Sequence, residues 1–212
     1  MVRWALFLFC ISCFSALAQS QSFEKWNAPE YGEVNSGKEV PYLGKDEIEI
    51  IRLLNLARMN GPLFSSTYLK SYTDSTGKIN KWTRTLQRDL SKLKPLAPLL
   101  PAMDLREEAL IHAADMGGKG KVGHVTSSGK GPKARFKKLV KLYGIVGENC
   151  DYGNEKPLDI VMSLLIDEGV SSLGHRKNIL SKKFYFIGVA TRPHKKWVYS
   201  CVMDFGGKRR TD

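Results

Sequence analysis

The chain has 212 residues, of which 42% are hydrophobic and 10% aromatic. That length limits it to two domains at most, and the apolar content predicts one domain with a real hydrophobic core. The formal net charge of +12 favours anionic partners, such as a surface polymer or a lipid. Because aromatic residues are not interleaved with the basic ones, we expect no platform for single strands and no nucleic-acid partner.

The first eighteen residues have the pattern of a secretory signal peptide. Arg3 forms a short basic region, an apolar stretch runs from Trp4 to Leu17, and Ala-Leu-Ala supplies a small-x-small cleavage site. We therefore expect cleavage before Gln19 and a secreted or periplasmic protein without a transmembrane anchor. An uncleaved anchor is one alternative, although the apolar stretch is short for the roughly 20 residues of a spanning helix. A lipoprotein modified at Cys13 is another, although the preceding residues match that signal poorly.

Residues 19–44 are polar and contain several glycines and prolines, which is typical of a linker or of an N-terminal arm laid on the domain. The domain is predicted to begin near Lys45. Asp46 can cap a helix whose apolar residues recur at helical spacing, and Gly61-Pro62 ends that helix. Further helices are predicted over 62–72, 81–94 and 104–116. On the last of these His112 lies on the apolar face, and we assign it no chemical role.

The last third of the chain changes to strand periodicity. A glycine-rich loop precedes a basic helix over 132–143, and a helix opened by Pro157 separates two strand regions. The predicted strands span 145–152, 184–192 and 195–205, and the last two form a hairpin that turns near Pro193-His194. Helices first and an antiparallel sheet last indicate an α+β domain over 45–207, followed by a basic tail over 208–212.

Cysteine usage predicts one covalent cross-link. Removal of the signal peptide leaves only Cys150 and Cys201. An even pair in an oxidising compartment indicates a disulfide, so we predict a Cys150–Cys201 bond. Because a chain of this length has enough core to be stable without a cross-link, two buried free thiols are the alternative.

Two histidines and two carboxylates within fifty-two residues are the candidates for chemistry. His124 lies in a glycine-flanked loop, Glu148 in the triplet GEN, Glu168 near a helix end, and His175 in GHRKNIL. Each of these histidines follows a glycine, which permits an unusual turn that directs the imidazole inward. The motifs HExxH and GxSxG are absent, which excludes the simplest zincin and α/β-hydrolase classes.

Glu168 is selected by its place on the helix that begins at Pro157. At 100° per residue it lies about 20° from Val161 and 40° from Leu164, on the apolar arc. A buried carboxylate needs a partner, and imidazoles and carboxylates can bind each other or a divalent metal such as zinc. Asp167 is the alternative for this place. Spacing alone also allows an interpretation without chemistry, in which these carboxylates and imidazoles only cap turns or face solvent.

Seven short motifs cover about 48–207 in a specific order and spacing. They are LNLAR at 54–58, EEALIHAADM at 107–116, GH at 123–124, GEN at 147–149, GHRKNIL at 174–180, FIGVA at 186–190 and WVYSCVMDFGG at 197–207. Together they resemble the CAP superfamily of SCP-like extracellular proteins, in its bacterial branch. The cysteine-rich extension and the GHYTQ form of animal relatives are absent, so the resemblance does not extend to animal-type lipid or receptor roles.

The resemblance implies an α-β-α sandwich with a central antiparallel sheet and a cleft lined by two histidines and two glutamates. It assigns three of those places to His124, Glu148 and His175. In some relatives the two histidines bind a divalent cation, often zinc. Bacterial relatives vary just before GHR, so Glu168 is expected in the fourth place on the helical argument, with Asp167 as the alternative.

Three functions are compatible with this family, because its members share a fold more than an activity. We prefer an extracellular binding module whose cleft takes a metal and a small or polymeric ligand. The first alternative is a metal-assisted hydrolase in which Glu148 or Glu168 is the general base for metal-bound water. The second is a lipid-binding or surface-interaction protein in which the four cleft residues are structural.

Overall fold

The centre of the molecule is a four-stranded sheet. A computed structural model describes residues 23–210, so the predicted signal peptide lies outside the described residues. The sheet has the strand order β1, β3, β4, β2. Its strands are β1 (Leu100–Pro101), β2 (Val146–Tyr152), β3 (Phe186–His194) and β4 (Val198–Gly206). Helices flank this sheet, and the predicted α+β fold class is confirmed.

Two details of the sheet differ from the sequence-based expectation. Pro193 and His194 are the last paired residues of β3, so the hairpin turns after them, at 195–197. In addition, β1 is a parallel edge strand that pairs with β3 through only two residues, whereas the other two pairings are antiparallel. A two-residue strand in a proline-rich segment has no measurable periodicity, so the pattern could not reveal it.

The helices occupy both faces of the sheet. Their bounds are α1 (Lys45–Met59), α2 (Gly61–Phe64), α3 (Lys70–Thr76), α4 (Lys81–Lys92), α5 (Met103–Lys119), α6 (Pro132–Arg135), α7 (Lys137–Tyr143), α8 (Pro157–Ile166) and α9 (Gly174–Ile179). A π-helical turn over Ser65–Leu69 joins α2 to α3. Within residues 23–210, no helix has the length and apolar character needed to span a membrane.

The two faces of the sheet pack against different helical layers. One face carries Val189 and Met203 into the large core, which also contains apolar residues of α1 and α8. The opposite face carries Ala190 and Val202 against small residues of α5. This alternation follows from the two-residue period of a strand, and it produces the α-β-α layering that the family resemblance implies.

Glycine at position 188 allows α5 to lie directly on the backbone of β3. A Cβ atom on Gly188 would overlap the backbone of Leu105 and Arg106 in α5. Only a residue without a side chain permits this approach of helix to strand. The position of α5 relative to the sheet therefore depends on this one residue.

The N-terminal segment packs on α1 and the turn that follows it. The Trp26 indole donates a hydrogen bond to the Thr67 hydroxyl at 3.1 Å, and Val34 is buried in the main core. Asn55, fully buried on α1, donates to the carbonyl oxygens of Val34 and Leu99. Residues 26–36 thus form an arm laid on the domain.

The predicted Cys150–Cys201 disulfide is wrong, because both cysteines are free thiols. In the β2–β4 register Cys150 lies opposite Val202, and Cys201 lies opposite Asp151. Residues directly opposite each other share a face, so the two thiols point to opposite faces of the sheet. Cys201 lies in the main core, whereas Cys150 packs with the small cluster under α5.

A buried arginine joins α1 to the segments at its end. Arg58 is 1% exposed, and its guanidinium donates to the carbonyl oxygens of Ala97, Ile179, Ser181 and Phe184 at 2.7–3.1 Å. Burial lowers the pKa of Arg58 to about 10, so it remains a cation at neutral pH. A single side chain therefore satisfies carbonyl groups from two separate stretches of chain, at Ala97 and over residues 179–184.

Replacing Arg58 by methionine should destabilise the fold strongly. The substitution keeps an apolar stem but leaves several buried carbonyl oxygens without a donor, at a cost of about 3 kcal/mol or more. Arg52→Met is the matched control on the same helix, because it removes a partly exposed ion pair with Glu49 and should cost about 1 kcal/mol or less. Urea unfolding of both variants measures the difference, and equal losses would contradict the structural role of Arg58.

Candidate functional site

The first cleft histidine lies in a loop that the buried His112 and the half-buried Tyr152 hold in place. His124 follows Gly123, whose φ of 105° is a conformation that favours glycine. The Gly123 carbonyl accepts hydrogen bonds from His112 Nε2 at 2.9 Å and from the Tyr152 hydroxyl at 3.1 Å. His112 is thus a structural residue that fixes the loop carrying His124, and the first Gly-His pair exists because the chain must turn there.

Glu148 on β2 is the partner of His124. Its Oε1 lies 2.8 Å from His124 Nδ1, and its side chain is 3% exposed. The Arg135 guanidinium, also 3% exposed, binds both carboxylate oxygens at 2.7 and 3.1 Å. Arg135 further contacts the Glu108 carboxylate at 2.9 Å and the His124 carbonyl at 3.1 Å. These contacts fix the carboxylate and leave it ionised.

The charge of Glu148 is stabilised despite its burial. Burial raises the pKa of Glu148, but the hydrogen bond from His124 and the Arg135 guanidinium outweigh that effect and lower the pKa below its usual value. An ionised carboxylate can only accept hydrogen bonds, so His124 Nδ1 carries the proton. The Nε2 atom of His124 then has a free lone pair.

A second buried carboxyl lies on the neighbouring strand, directly opposite Glu148. Asp204 on β4 is paired with Glu148 in the strand register, is fully buried, and has no hydrogen-bond partner for either oxygen. Burial, and then the nearby charge of Glu148, raise the pKa of Asp204 well above its usual value. Asp204 therefore keeps its proton to a higher pH than an ordinary aspartate, which limits the negative charge beside Glu148.

The second cleft histidine is held by Asp167. The Asp167 carboxylate accepts a hydrogen bond from His175 Nδ1 at 2.7 Å and from the backbone N–H groups of His175 and Arg176 at 3.0 and 3.2 Å. Asp167 is 2% exposed and adopts the left-handed conformation, with φ of 56°. It therefore ends α8, caps α9 and orients the imidazole with the same carboxylate.

The structure corrects the expected place of Glu168. Because α8 ends at Ile166 and Asp167 reverses the backbone, the helical spacing that put Glu168 on the apolar arc no longer applies. Glu168 is exposed and accepts a hydrogen bond from Asn80 at 3.0 Å. The fourth place beside the two histidines belongs to Asp167, the alternative that the sequence left open.

The two imidazoles lie close to each other. Their ring centres are 6.5 Å apart with an interplanar angle of 33°. Each Nδ1 atom contacts a carboxylate, and among the described residues neither Nε2 atom takes part in a hydrogen bond. A carboxylate that orients a histidine through one nitrogen and leaves the other for a metal is the common arrangement at zinc sites.

The separation of the rings is close to what one ion requires. A zinc ion about 2.0–2.1 Å from one nitrogen of each ring puts the ring centres roughly 5–6 Å apart. The rings would have to approach each other by about 0.5–1.5 Å, a small adjustment for a partly exposed loop histidine. The donor chemistry of the cleft thus fits a divalent cation.

Polar residues of the GEN and GHRKN motifs join the two halves of the site. The Asn149 amide donates to the His175 carbonyl at 3.0 Å, and the Asn178 amide donates to the Glu148 carbonyl at 3.2 Å. These asparagines connect β2 to α9 and set the distance between the histidines.

Sequence analysis found both motifs but gave these residues no role, and it missed Arg135 entirely because that residue is one of many cations in a basic segment.

A second group of possible metal donors lies behind His124. His112, Glu148 and Cys150 each offer a ligand atom, and the three atoms lie within 4.8 Å of one another. Burial raises the pKa of the Cys150 thiol well above its usual value, which disfavours the thiolate that metal binding needs. Because the thiol keeps its proton, this group is a weaker candidate than the cleft pair.

Comparison with protein families decides the classification. The model of the CAP family, described as the cysteine-rich secretory protein family, matches residues 51–205. The chain belongs to this family. The match includes both cleft histidines and their carboxylate partners, Glu148 and Asp167, and it confirms the resemblance seen in the sequence motifs.

The similar solved structures are distant. An extracellular protein containing an SCP domain from Bacillus anthracis is 21% identical, with a TM-score of 0.43; the alignment covers 60% of this chain and 39% of that one. An outer surface protein from Borrelia burgdorferi is 20% identical, with a TM-score of 0.44, over 65% of this chain and 96% of that one. The chain thus spans about two fifths of the length of the Bacillus protein. No curated protein matches the sequence.

Replacing Asp167 by asparagine should destabilise this CAP protein, whereas Glu168→Gln should not. Asp167→Asn removes the charge that accepts three N–H groups, at a cost of about 2 kcal/mol. Glu168 is exposed, so its substitution should change the free energy of unfolding by about 0.5 kcal/mol or less. Denaturant unfolding of the two variants checks this, and a larger effect at Glu168 would contradict the assignment of the fourth place.

Replacing Asp204 by asparagine should change the pH dependence of stability. A carboxyl whose pKa is raised by folding must take up a proton to fold, so its cost appears above the unfolded-state pKa of about 3.9 and grows as the pH rises. From about pH 4 to about pH 8, the variant should therefore gain more than about 1 kcal/mol of stability relative to the wild type. Urea unfolding at both pH values tests this, with exposed Glu155→Gln as the control; parallel profiles for Asp204→Asn and wild type would show that Asp204 is ionised.

Proposed function

We propose that this CAP-family protein is an extracellular binding module that takes a divalent cation, zinc in the first instance, between His124 and His175. The observation that carries the proposal is the pair of carboxylate–imidazole contacts, Glu148 with His124 and Asp167 with His175, on rings 6.5 Å apart. Both carboxylates bind the nitrogen that faces away from the ion. They thereby orient the rings and raise the basicity of the free nitrogens.

The expected signal peptide and the family support the extracellular part of the proposal. The signal-peptide pattern of residues 1–18 and the family to which the domain belongs both favour secretion. A bound cation would place a Lewis acid at the cleft, where it could hold an anionic group of an extracellular ligand. The identity of that ligand is a separate question from metal binding.

The carboxylates beside the two histidines are better suited to orienting the imidazoles than to acting as a general base in hydrolysis. A general base needs a carboxylate that can receive a proton from bound water. Glu148 is held by Arg135 through both oxygens, and its lowered pKa makes it a weaker base. Asp167 is occupied by three N–H donors, and Glu168 is exposed and bound to Asn80. These contacts favour a binding module over the hydrolase alternative.

Calorimetric titration with zinc tests the proposal on the form that begins at Gln19, which retains every described residue. Wild-type protein should bind one zinc ion, and binding should weaken in acid because a protonated imidazole cannot coordinate. The double variant His124→Ala, His175→Ala should lose binding while its far-UV dichroism stays native. Asp167→Asn should keep both ligands but bind about 10- to 100-fold more weakly.

The control for this titration is Cys150→Ser, which removes a donor from the group behind His124 and leaves the cleft pair intact. Zinc affinity should be unchanged in that variant. Binding that survives loss of both cleft histidines, or that disappears with Cys150, would move the ion to the other group. A folded wild-type protein without zinc affinity would show that the four residues are structural, and turnover that a chelator abolishes would favour the hydrolase.

A further inference from the structure

Two loops outside the metal cleft lie side by side and form an exposed patch. The first is the loop after α5, and the second is the tip of the β3–β4 hairpin. His194 connects them, because its Nε2 donates to the Lys121 carbonyl at 2.8 Å while its Nδ1 accepts the backbone N–H groups of Lys196 and Trp197 at 3.1 Å. A buried histidine, 3% exposed, thus fixes the position of one loop relative to the other.

Large apolar side chains project from both loops at this place. Val122 is 54% exposed, Val125 50%, Trp197 52% and Val198 72%. Val122, Val125 and Trp197 also line one open cavity of about 660 Å³. We call these four residues the tip patch. Single exposed apolar residues are normal, but a cluster carried by two adjoining loops indicates a surface that meets another apolar surface.

The backbone conformation at Val198, the most exposed residue of the tip patch, does not explain why a valine is present there. Val198 has φ of 64°, a left-handed conformation that is unfavourable for a β-branched residue. Glycine or asparagine would fit that turn better, and at 72% exposure the valine side chain gains little from packing within this chain. Its presence suggests a function outside the folded chain.

The tip patch is surrounded by cations. Lys121, Lys195 and Lys196 are exposed on the same two loops, and residues 116–147 and 186–203 contain no aspartate or glutamate. The nearest acid before the first loop, Asp115, is occupied by the backbone N–H and hydroxyl of Ser127. The charge around the patch is therefore mainly positive, with the Asp115 carboxylate at its edge, and it is complementary to an anionic surface.

We propose that the tip patch docks on an anionic lipid bilayer. Valine side chains enter the acyl boundary, the indole of Trp197 lies at the headgroup level where tryptophan is enriched, and the lysines contact anionic headgroups. Three lysines near an anionic membrane strengthen association roughly a hundredfold together. A soluble anionic polymer would use the lysines but not the exposed valines, so the apolar cluster favours a bilayer. Docking would hold the His124 loop, which Val122 and Val125 flank, at the membrane surface.

Vesicle sedimentation tests this surface on the form that begins at Gln19. Vesicles of phosphatidylcholine and phosphatidylglycerol in equal parts should bind the protein, and vesicles of phosphatidylcholine alone should bind it much more weakly. The variant Val122→Ser, Val125→Ser, Trp197→Ser keeps every charge, and it should bind the mixed vesicles at least about tenfold more weakly. The control Ile79→Ser, Val140→Ser, Leu142→Ser removes the same number of exposed apolar side chains elsewhere and should bind like the wild type.

Charge variants separate the lysines of the patch from the general basic character of the chain. Lys121→Gln, Lys195→Gln, Lys196→Gln should weaken binding more than Lys92→Gln, Lys94→Gln, Lys182→Gln, which removes three exposed lysines from other places. Equal losses in the two sets would overturn the proposal, because they would indicate non-specific adsorption of a cationic protein. Unchanged binding in the apolar variant would overturn it as well.

Fluorescence provides a second test that does not depend on a stable triple variant. Trp197 emission should shift to the blue and be quenched by brominated lipid in mixed vesicles, and Trp197→Phe should abolish the quenching while Trp26 and Trp82 remain. Binding to soluble polyphosphate without quenching by brominated lipid would identify a polymer site and overturn the bilayer proposal. The variant Val122→Ser, Val125→Ser, Trp197→Ser should bind zinc with wild-type affinity. Loss of membrane binding can therefore be distinguished from loss of the metal site.

Discussion

The buried charge of Glu148 is the constraint on which the cleft depends. A carboxylate in that position is tolerated only because Arg135 and His124 compensate it, and those two residues come from α6 and the loop before it. Arg135 also binds Glu108 on α5, and Asp204 on β4 lies beside Glu148 with a pKa raised well above its usual value. Two helices, a loop and two strands are therefore held in one arrangement, and the orientation of the first imidazole follows from it.

The sequence predicted the parts of this arrangement that depend on local pattern. Apolar spacing located most helices and the three long strands, and prolines 132 and 157 marked two helix starts. The Gly-His pairs indicated that the chain turns sharply before an inward imidazole, and Gly123 has the positive φ that this requires. The family motifs then identified His124, Glu148 and His175, because order and spacing over a whole domain carry more information than any single triplet.

What the sequence could not predict depends on register and on reversals of the backbone. Asp167 and Glu168 are adjacent, and only the left-handed turn at Asp167 decides which of them enters the cleft. Cys150 and Cys201 are both in strands, but the strand register decides whether their side chains share a face of the sheet. A shift of one residue moves a side chain to the other face. Arg135 and Asp204 are ordinary charged residues in the sequence, and their importance arises only from the single buried carboxylate between them.

Gly188 affects the position of His124, although it contacts neither cleft histidine. Because Gly188 has no side chain, α5 lies directly on β3. His112 lies on α5 about two turns beyond this contact. His112 in turn holds the carbonyl of Gly123, the residue before the first cleft imidazole. Any side chain at position 188 would lift the helix and draw that loop outward with it. The sheet glycine therefore acts as a spacer for the two imidazoles, so the gap between them can be tuned by a residue that touches neither ring.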